Sequence, residues 1–428
     1  MSPARSLIKA GRSGMGAFRT RFAAIAGAVL LSLVAIAFAR CGEWAQHVFL
    51  RGYETWHWAP ALITPLMFVI TAQATRRWFP DARGSGIPQV MAAGHSPTRS
   101  AHGPLVSMKT AAAKFVGTIA MLLSGGSVGR EGPTVQISAA VVTAVHRVLR
   151  VPITAGVIIA GGAAGVAAAF NTPLAGVAFA IEELASAFEQ RVAVYVMAAV
   201  MISGLVSLGL YGDYVYFGMV TQALPLHAML VVAPVSGVLG GITGGLFARA
   251  LVAQAWSRWP FYVAMRARPM LLALVCGIVV AATGLATNGL SWGTGYETTR
   301  GLLSGETAPL SFGPAKFVAT LATAISGAPG GIFAPSLSVG AGLGQLIALL
   351  FPADSAGAIV LLGMIGYFTG VVRAPLTAVI IMMEMTDDRT MILPLLATAL
   401  IADWVSAMVC HQKLYHALSR QFRTPVAA

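Results

Sequence analysis

Two stretches of the chain decide its fold: SGGSVGREGP at residues 124–133 and SGAPGGIFAP at residues 326–335. They match in the first Ser and Gly, in the Gly at the sixth position and in the final Pro, and residue 124 aligns with residue 326, an offset of 202. The same offset relates the KFV that begins at Lys114 to the KFV that begins at Lys316. Self-similarity at a fixed spacing predicts an internal repeat.

The repeat continues beyond these motifs without a gap. At the same offset, NTPLAGVAFAIEE at 171–183 aligns with RAPLTAVIIMMEM at 373–385, which pairs Glu182 with Glu384. With a shift of seven more residues, RGSGIPQ at 83–89 resembles WGTGYET at 292–298. The sequence therefore predicts two halves, each with Gly/Pro breaks at matching places.

The composition indicates an integral membrane protein. Hydrophobic residues make up 57% of the 428 residues and charged residues only 10%, whereas a soluble domain has about 25% charged residues. The mean hydropathy is +0.77. A spanning helix needs about 20 apolar residues, and such stretches occur at about 22–39, 56–75, 104–123, 193–212, 226–252, 269–288 and 391–410.

Two further apolar segments, 154–184 and 315–386, are interrupted by Gly and Pro. Non-helical backbone persists at membrane depth only where it is buried in protein or lines a wet cavity. Matching broken helices in two halves indicate a transporter whose site lies at the repeat interface. The spacing of Gly237, Gly241 and Gly245 also predicts close helix packing.

The net charge of +13 is distributed as expected for a membrane protein and does not indicate nucleic-acid binding. Basic residues cluster before the first apolar stretch, around residues 76–109 and near the end of the chain. By the positive-inside rule these regions, and hence both termini, face the cytoplasm. We predict a cytoplasmic segment at 1–21, a transmembrane domain at 22–420 with repeat halves at about 22–212 and 226–411, and a cytoplasmic tail at 421–428.

Three short motifs predict the start of a helix: GSGIP at 84–88, GREGP at 129–133 and GIFAP at 331–335. Pro suits the first turn of a helix because its missing N–H has no partner there in any case. Helix N-termini that converge form an anion site from free N–H groups and positive dipole ends. Ser85 adds a candidate hydroxyl donor, and Ile332 and Phe333 add candidate backbone amides.

The acidic residues near these motifs are candidates for proton chemistry. Glu131 in GREGP can occupy an anion site while ionised and leave it when protonated, although a Glu in an exposed loop is an equal alternative. Glu182 and Glu183 follow an apolar run, where an unpaired carboxylate is costly. Adjacent helical positions point about 100° apart, so one of them can face a proton path while the other braces the structure. The residues alone leave open which does which.

Together these motifs resemble the CLC family of chloride channels and chloride/proton antiporters from about Phe22 to Arg420. The resemblance implies an all-α polytopic membrane fold, an inverted repeat of tilted and broken helices, in a homodimer with one anion pathway per subunit. It also implies the form of the family that lacks a cytoplasmic CBS pair, located in a bacterial inner membrane. The substrates would be chloride and protons, with no cofactor, no metal and no enzymatic activity; accordingly, H-E-x-x-H and P-loop motifs are absent.

The resemblance also assigns roles to individual residues. The hydroxyls of Ser85 and Tyr415 and the amides of Ile332 and Phe333 would coordinate the central anion, and Ser85 in place of Pro favours chloride over nitrate. Glu131 would be the external gating glutamate, and Glu183 the internal proton-transfer glutamate of the antiporter branch. The outer anion site would use the backbone amides of Gly129, Arg130 and Gly132, while the Arg130 side chain is interpreted as solvent-side or structural. Glu182 and Glu384 are interpreted as structural.

The presence of Glu183 favours chloride/proton exchange. The alternative is a passive chloride channel on the same fold.

Overall fold

The computed structural model describes residues 3–100, 102–184, 190–212, 215–218, 224–351, 355–388 and 390–423. Regular structure in these residues is helical, with two isolated β-bridges. The first half contains α1 (Pro3–Thr55), α2 (Ala59–Trp78), α3 (Ile87–His95), α4 (Pro97–Ser100), α5 (Met108–Leu122), α6 (Glu131–Val148), α7 (Ala155–Phe170), α8 (Pro173–Phe179), a π-helical turn (Ala180–Leu184) and α9 (Gln190–Tyr211). The second half contains α10 (Leu226–Trp256), α11 (Pro260–Ala267), α12 (Pro269–Ala286), α13 (Tyr296–Leu303), α14 (Phe312–Ile325), α15 (Phe333–Ala348), α16 (Ala356–Val372), α17 (Pro375–Thr386), α18 (Ile392–Val409) and α19 (Leu414–Ser419).

Four of the described helices are long and apolar enough to cross a membrane: Phe18–Thr55, His227–Trp256, Pro269–Ala286 and Ile392–Val409. The remaining apolar helices are shorter, at 10–17 residues. The predicted breaks in 154–184 and 315–386 are confirmed, because α7 ends before α8 and the second segment divides into α14, α15, α16 and α17.

The breaks have the same chemistry in both halves. Asn171 after α7 and Arg373 after α16 adopt left-handed conformations, with φ of 58° and 61°. A left-handed residue ends a helix because it turns the chain away from the helical path. Pro173 and Pro375 then begin α8 and α17, where a missing N–H is tolerated.

Two helices differ in length from the apolar stretches that predicted them. The stretch at about 22–39 lies within the longer α1, which runs from Pro3 to Thr55 over 53 residues. No proline follows Pro3 in this range to interrupt the helix. The stretch 104–123 forms only the 15-residue α5, because Ser107 caps it by accepting a hydrogen bond from the Thr110 amide at 3.2 Å.

The core lies around α7 and α16, and every residue of α16 from Gly357 to Val372 is buried. α10 packs between α16 and α18. The predicted close packing at Gly237, Gly241 and Gly245 is confirmed: a Cβ added to any of them would lie 2.8–2.9 Å from an atom of α18. Small residues thus bring the helix backbones together, as is typical of membrane helices.

Contacts between the halves confirm the repeat. The Gly129 amide donates to the Gly331 carbonyl at 2.7 Å, and the Gly331 amide donates back to the Gly129 carbonyl at 2.8 Å. Since these residues are equivalent in the two halves, the antiparallel bridge lies on the pseudo-twofold axis that relates them.

Two buried lysines, equivalent in the two repeats, hold the Gly-rich breaks. Lys114 Nζ donates to the Gly84 carbonyl at 2.7 Å, and Lys316 Nζ donates to the Gly293 carbonyl at 2.7 Å. Gly84 and Gly293 are equivalent under the further seven-residue shift. This contact between a lysine and a glycine carbonyl occurs in both halves, so the repeat extends to the loop that precedes α3.

Candidate anion and proton site

The three Gly/Pro motifs meet at the contact between the halves. The Gly84 amide donates to the Ala328 carbonyl at 3.2 Å, and the Gly330 amide donates to the Gly84 carbonyl at 3.0 Å. The Gly129–Gly331 bridge joins the GREGP and GIFAP loops. All three loops thus form one hydrogen-bonded cluster.

Each loop leads into a helix, as predicted. α3 begins at Ile87, α6 at Glu131 and α15 at Phe333. The prolines of the motifs lie in the first turns of these helices: Pro88, Pro133 and Pro335. First-turn amides have no acceptor within their own helix, so three N-termini present N–H groups and positive dipole ends to the cluster.

Glycine is required where these loops touch. A Cβ added to Gly132 would overlap Ser85 Oγ. Gly86 adopts a φ of 109°, and a Cβ there would lie 2.7 Å from the Gly132 carbonyl oxygen. The glycines therefore allow the start of α6 to approach Ser85 directly.

Glu131 lies inside the cluster rather than in an exposed loop. Glu131 is only 1% exposed, and its Oε2 accepts a hydrogen bond of 3.4 Å from the Ala334 amide at the start of α15. The amides of Arg130 and Glu131 itself also face the carboxylate. Oε1 has no partner among the described residues. A carboxylate here occupies a position built from anion-binding groups.

The structure corrects the assignment of one residue in GREGP and decides between two alternatives for another. Gly129 was expected to supply an amide to the outer anion site, but its amide is already bonded to Gly331. The Arg130 side chain, interpreted as solvent-side or structural, has the structural role: it is buried, and Nη1 donates to the Ala39 carbonyl at 2.6 Å and to Glu43 Oε1 at 2.9 Å. These contacts anchor the start of α6 to α1.

Ser85 and Tyr415 are brought together by the fold. Tyr415, in the first turn of α19, is fully buried, and its hydroxyl lies beside that of Ser85. Neither hydroxyl makes a hydrogen bond of good geometry to a described residue. Buried hydroxyls are rarely left without a partner, so this pair is suited to hold a ligand. Ile332 and Phe333, at the start of α15, are also buried.

Glu183 lies in the π-helical turn, near Tyr415. The carboxylates of both Glu131 and Glu183 are close enough to act electrostatically on the Tyr415 hydroxyl. Glu183 is 1% exposed, and neither of its oxygens has a hydrogen-bond partner among the described residues. The ring of His416 lies beside it, with Nδ1 at 3.5 Å from Oε1. π-Helical turns often occur at functional sites.

Glu182 and Glu384 hold the halves together in a reciprocal arrangement. Glu182 accepts from the amides of Leu376 and Thr377, at the start of α17, at 3.2 and 2.7 Å. Glu384 accepts from the amides of Leu174 and Ala175, at the start of α8, at 3.0 and 2.7 Å. Each carboxylate thus caps the helix of the other half, which is the geometry of a structural residue.

Sequence reasoning did not select His416 or Glu43. His416 is a single histidine with no metal or catalytic spacing, and its adjacency to Tyr415 was the only signal. Glu43 lies far in sequence from Arg130. The run GGSVG at 125–129 matches the G-x-S-x-G pattern of hydrolases, but Ser127 is buried and its hydroxyl pairs with Thr320 Oγ1 at 2.9 Å rather than with a base.

The fold and site together define a polytopic all-α membrane protein with a candidate anion site where its two repeats meet. The chain belongs to the voltage gated chloride channel family, because the model of that family matches residues 66–407. It is similar to the H(+)/Cl(-) exchange transporter ClcA of Yersinia pseudotuberculosis serotype IB (strain PB1/+), with 31% identity over an alignment 428 positions long. That alignment covers 92% of this chain and 86% of the relative. The transporter of the same name from Salmonella paratyphi A (strain ATCC 9150 / SARB42) is 30% identical over 422 residues, with the same coverage of 92% and 86%.

Solved structures agree with this family assignment. The X-ray structure of a slow cyanobacterial Cl⁻/H⁺ antiporter superposes with a TM-score of 0.78 and 25% identity, covering 96% of this chain and 99% of that one. A CLC-type fluoride/proton antiporter shares the fold, with a TM-score of 0.76, 22% identity and coverage of 93% and 96%.

Proposed function

We propose that this protein is a secondary active transporter that exchanges chloride for protons. The observation that carries the proposal is the position of Glu131, whose carboxylate contacts the Ala334 amide at the start of α15. An ionised carboxylate and a chloride ion compete for such a position, since both carry one negative charge and accept from the same donors. The similarity to proteins named exchange transporters supports the same function.

Protonation of Glu131 links the two ions. Ionised Glu131 occupies the anion position and blocks it. When it takes up a proton, it loses its attraction to the helix N-termini and turns outward, and chloride enters in its place. Release of the proton to the outside restores the charge, and the carboxylate returns as chloride leaves. Each ion therefore conditions the movement of the other.

The surrounding groups bind chloride without a full positive charge of their own. The hydroxyls of Ser85 and Tyr415 and the amides of Ile332 and Phe333 hold the central ion. The first-turn amides of α6, at Arg130 and Gly132, serve the outer position. Binding by dipoles is strong enough to admit an anion and weak enough to release it.

Protons reach Glu131 from the inside through Glu183. Glu183 is buried, and neither of its carboxylate oxygens has a hydrogen-bond partner among the described residues. Such a group is suited to exchange protons, because no permanent partner fixes its charge. Both glutamates act electrostatically on the Tyr415 hydroxyl, which places Tyr415 near both carboxylates. In this proposal anion and proton share a route only near Glu131.

The proposal includes a homodimer with one anion pathway per subunit, inserted in a bacterial inner membrane with both termini in the cytoplasm. The basic clusters at both ends of the chain support this orientation.

A liposome assay tests the exchange. Purified protein is reconstituted with high internal and low external chloride, and the membrane potential is held near zero with equal potassium on both sides and valinomycin. Chloride efflux should drive proton uptake against the proton gradient. Chloride flux without uphill proton uptake would contradict exchange and establish a passive channel on this fold. A lack of any chloride flux would contradict both.

A further inference from the structure

The carboxylate of Glu183 has no direct access to water. The residue is 1% exposed, and its side chain is closed off from solvent. A group that hands protons toward Glu131 must itself be reloaded, and a buried acid without a solvent contact needs an intermediary. The structure places one candidate beside it.

His416 lies between Glu183 and the surface of the molecule. Its Nδ1 lies 3.5 Å from Glu183 Oε1, while 41% of its side chain is exposed. Nδ1 itself is buried and has no hydrogen-bond partner among the described residues. One nitrogen of the imidazole is therefore turned toward the carboxylate, while part of the ring lies at the molecular surface.

We propose that His416 carries protons between the solvent and Glu183. This inference rests on the proposed chloride/proton exchange and names the residue through which its protons enter. Histidine suits the task because imidazole is the side chain that gains and loses protons between about pH 5 and 8. A small rotation of the ring reduces 3.5 Å to the length of a direct hydrogen bond.

The transfer balances at each step. Neutral His416, with its proton on Nδ1, accepts a solvent proton at Nε2 and becomes an imidazolium. It then donates the Nδ1 proton to Glu183 Oε1, which yields a neutral carboxylic acid and a neutral imidazole with its proton on Nε2. A turn of the ring then brings Nδ1 to the solvent, where Nδ1 takes up a proton from water and Nε2 releases its proton to water. The reverse turn restores the starting tautomer and position.

The neighbouring charged groups do not offer an equivalent route. Glu182 is engaged with the amides of Leu376 and Thr377. Lys413 acts on Glu183 electrostatically but makes no ion pair with it in the described chain. The elements packed on α19 are α3, α10, α16 and the turn Arg420–Phe422. Across the described ranges, they place no charged group in an ion pair with His416.

Tyr415 and His416 are adjacent in α19 but have different surroundings. Tyr415 is fully buried beside Ser85, whereas His416, the next residue, faces Glu183 and solvent. Trp256 Nε1 donates to the Ala417 carbonyl at 3.1 Å and anchors this short helix to α10. Since this anchor does not use the imidazole, replacing His416 leaves the support of Tyr415 in place.

The test compares wild-type protein with His416→Ala and His416→Gln in the liposome assay, recording proton uptake and chloride efflux together. Gln keeps polar atoms but does not titrate in this range. In both variants we expect the ratio of protons to chloride to fall by about tenfold, less than the 10²–10⁴-fold effect of a typical positioned acid–base group, because water replaces part of the relay. Chloride efflux should continue.

Two further readouts separate a relay from a structural role. Imidazole added to the solvent should restore proton uptake in His416→Ala but not in Glu183→Gln. The dependence of wild-type proton uptake on pH between about 5 and 8 should flatten in His416→Gln. Unchanged proton-to-chloride ratios and pH profiles in both variants would overturn the proposal, as would a loss of chloride efflux that imidazole does not restore. Wild-type protein that moves chloride without protons would instead refute the exchange on which the relay rests.

Discussion

Glu131 Oε2 lies 3.4 Å from the backbone nitrogen of Ala334, so an acidic side chain of one repeat sits at the helix N-terminus of the other. Both residues are buried, and the three loops that converge on them are hydrogen-bonded to one another. The charge of a single carboxylate thereby determines whether the position is filled by the protein or open to an anion.

Replacing Glu131 by Gln should separate the two ion movements. Gln is neutral, so the N-termini of α6 and α15 no longer attract it in place of chloride. We expect uphill proton uptake to fall by about 100-fold or more, as on removal of a positioned proton-transfer group, while chloride flux continues. The liposome assay measures both, with the exposed Glu306→Gln as a control that should behave as wild type. Proton uptake retained in Glu131→Gln would contradict the gating role.

Glu183 and Glu182 form a matched pair for testing the proton route. Glu183→Gln removes a buried acid that has no hydrogen-bond partner among the described residues, and we expect proton uptake to be lost while chloride flux persists. Glu182→Gln keeps an acceptor oxygen for the amides of α17 and should retain coupling. If Glu182→Gln uncoupled the ions and Glu183→Gln did not, the roles of the two residues would have to be exchanged.

Both reciprocal caps should contribute to stability. Glu182→Ala leaves the amides of Leu376 and Thr377 without their acceptor, and Glu384→Ala does the same at Leu174 and Ala175. Each substitution should lower the free energy of unfolding by about 2 kcal/mol, the scale of a lost cap with charge-assisted bonds. The loss should be somewhat larger for Glu182→Ala, because Glu182 Oε2 also accepts from Thr377 Oγ1 at 2.7 Å. Thermal unfolding in detergent measures the loss, and the corresponding Gln variants should lose less. No loss in either Ala variant would contradict the capping role of that residue.

Gly132→Ala should impair anion binding at an unchanged fold. The new methyl group overlaps Ser85 Oγ and displaces this hydroxyl from the site. We expect chloride flux to fall by about tenfold, equivalent to about 1.4 kcal/mol or roughly one hydrogen bond.

Gly52→Ala is the control for this substitution, since a Cβ at Gly52 meets nothing within 4 Å. It should keep wild-type flux and elute as wild type on size exclusion, together with Gly132→Ala. Equal chloride flux in the two variants would show that anion binding does not need a glycine at position 132.

Much of this architecture could be predicted because it depends on local sequence patterns. The offset of 202 residues predicted the repeat, which the reciprocal bonds between Gly129 and Gly331 confirm. Pro in each motif predicted the helix starts, since the conformation of proline is fixed locally. α1 extends on the N-terminal side beyond the apolar stretch at about 22–39, because basic residues mark a membrane boundary without interrupting a helix.

The sequence by itself thus determined the membrane class, the repeat, the broken helices and the set of candidate residues. Which of those groups have partners became clear from the tertiary structure. The Gly129 amide is bonded to Gly331, and Arg130 is paired with Glu43. Glu182 caps α17, whereas Glu183 faces His416. The reason is physical. Hydropathy and helix breaks depend on neighbours along the chain, whereas the partner of a buried polar group depends on residues that packing brings from about 200 or more positions away, as for the 203 positions between Glu131 and Ala334.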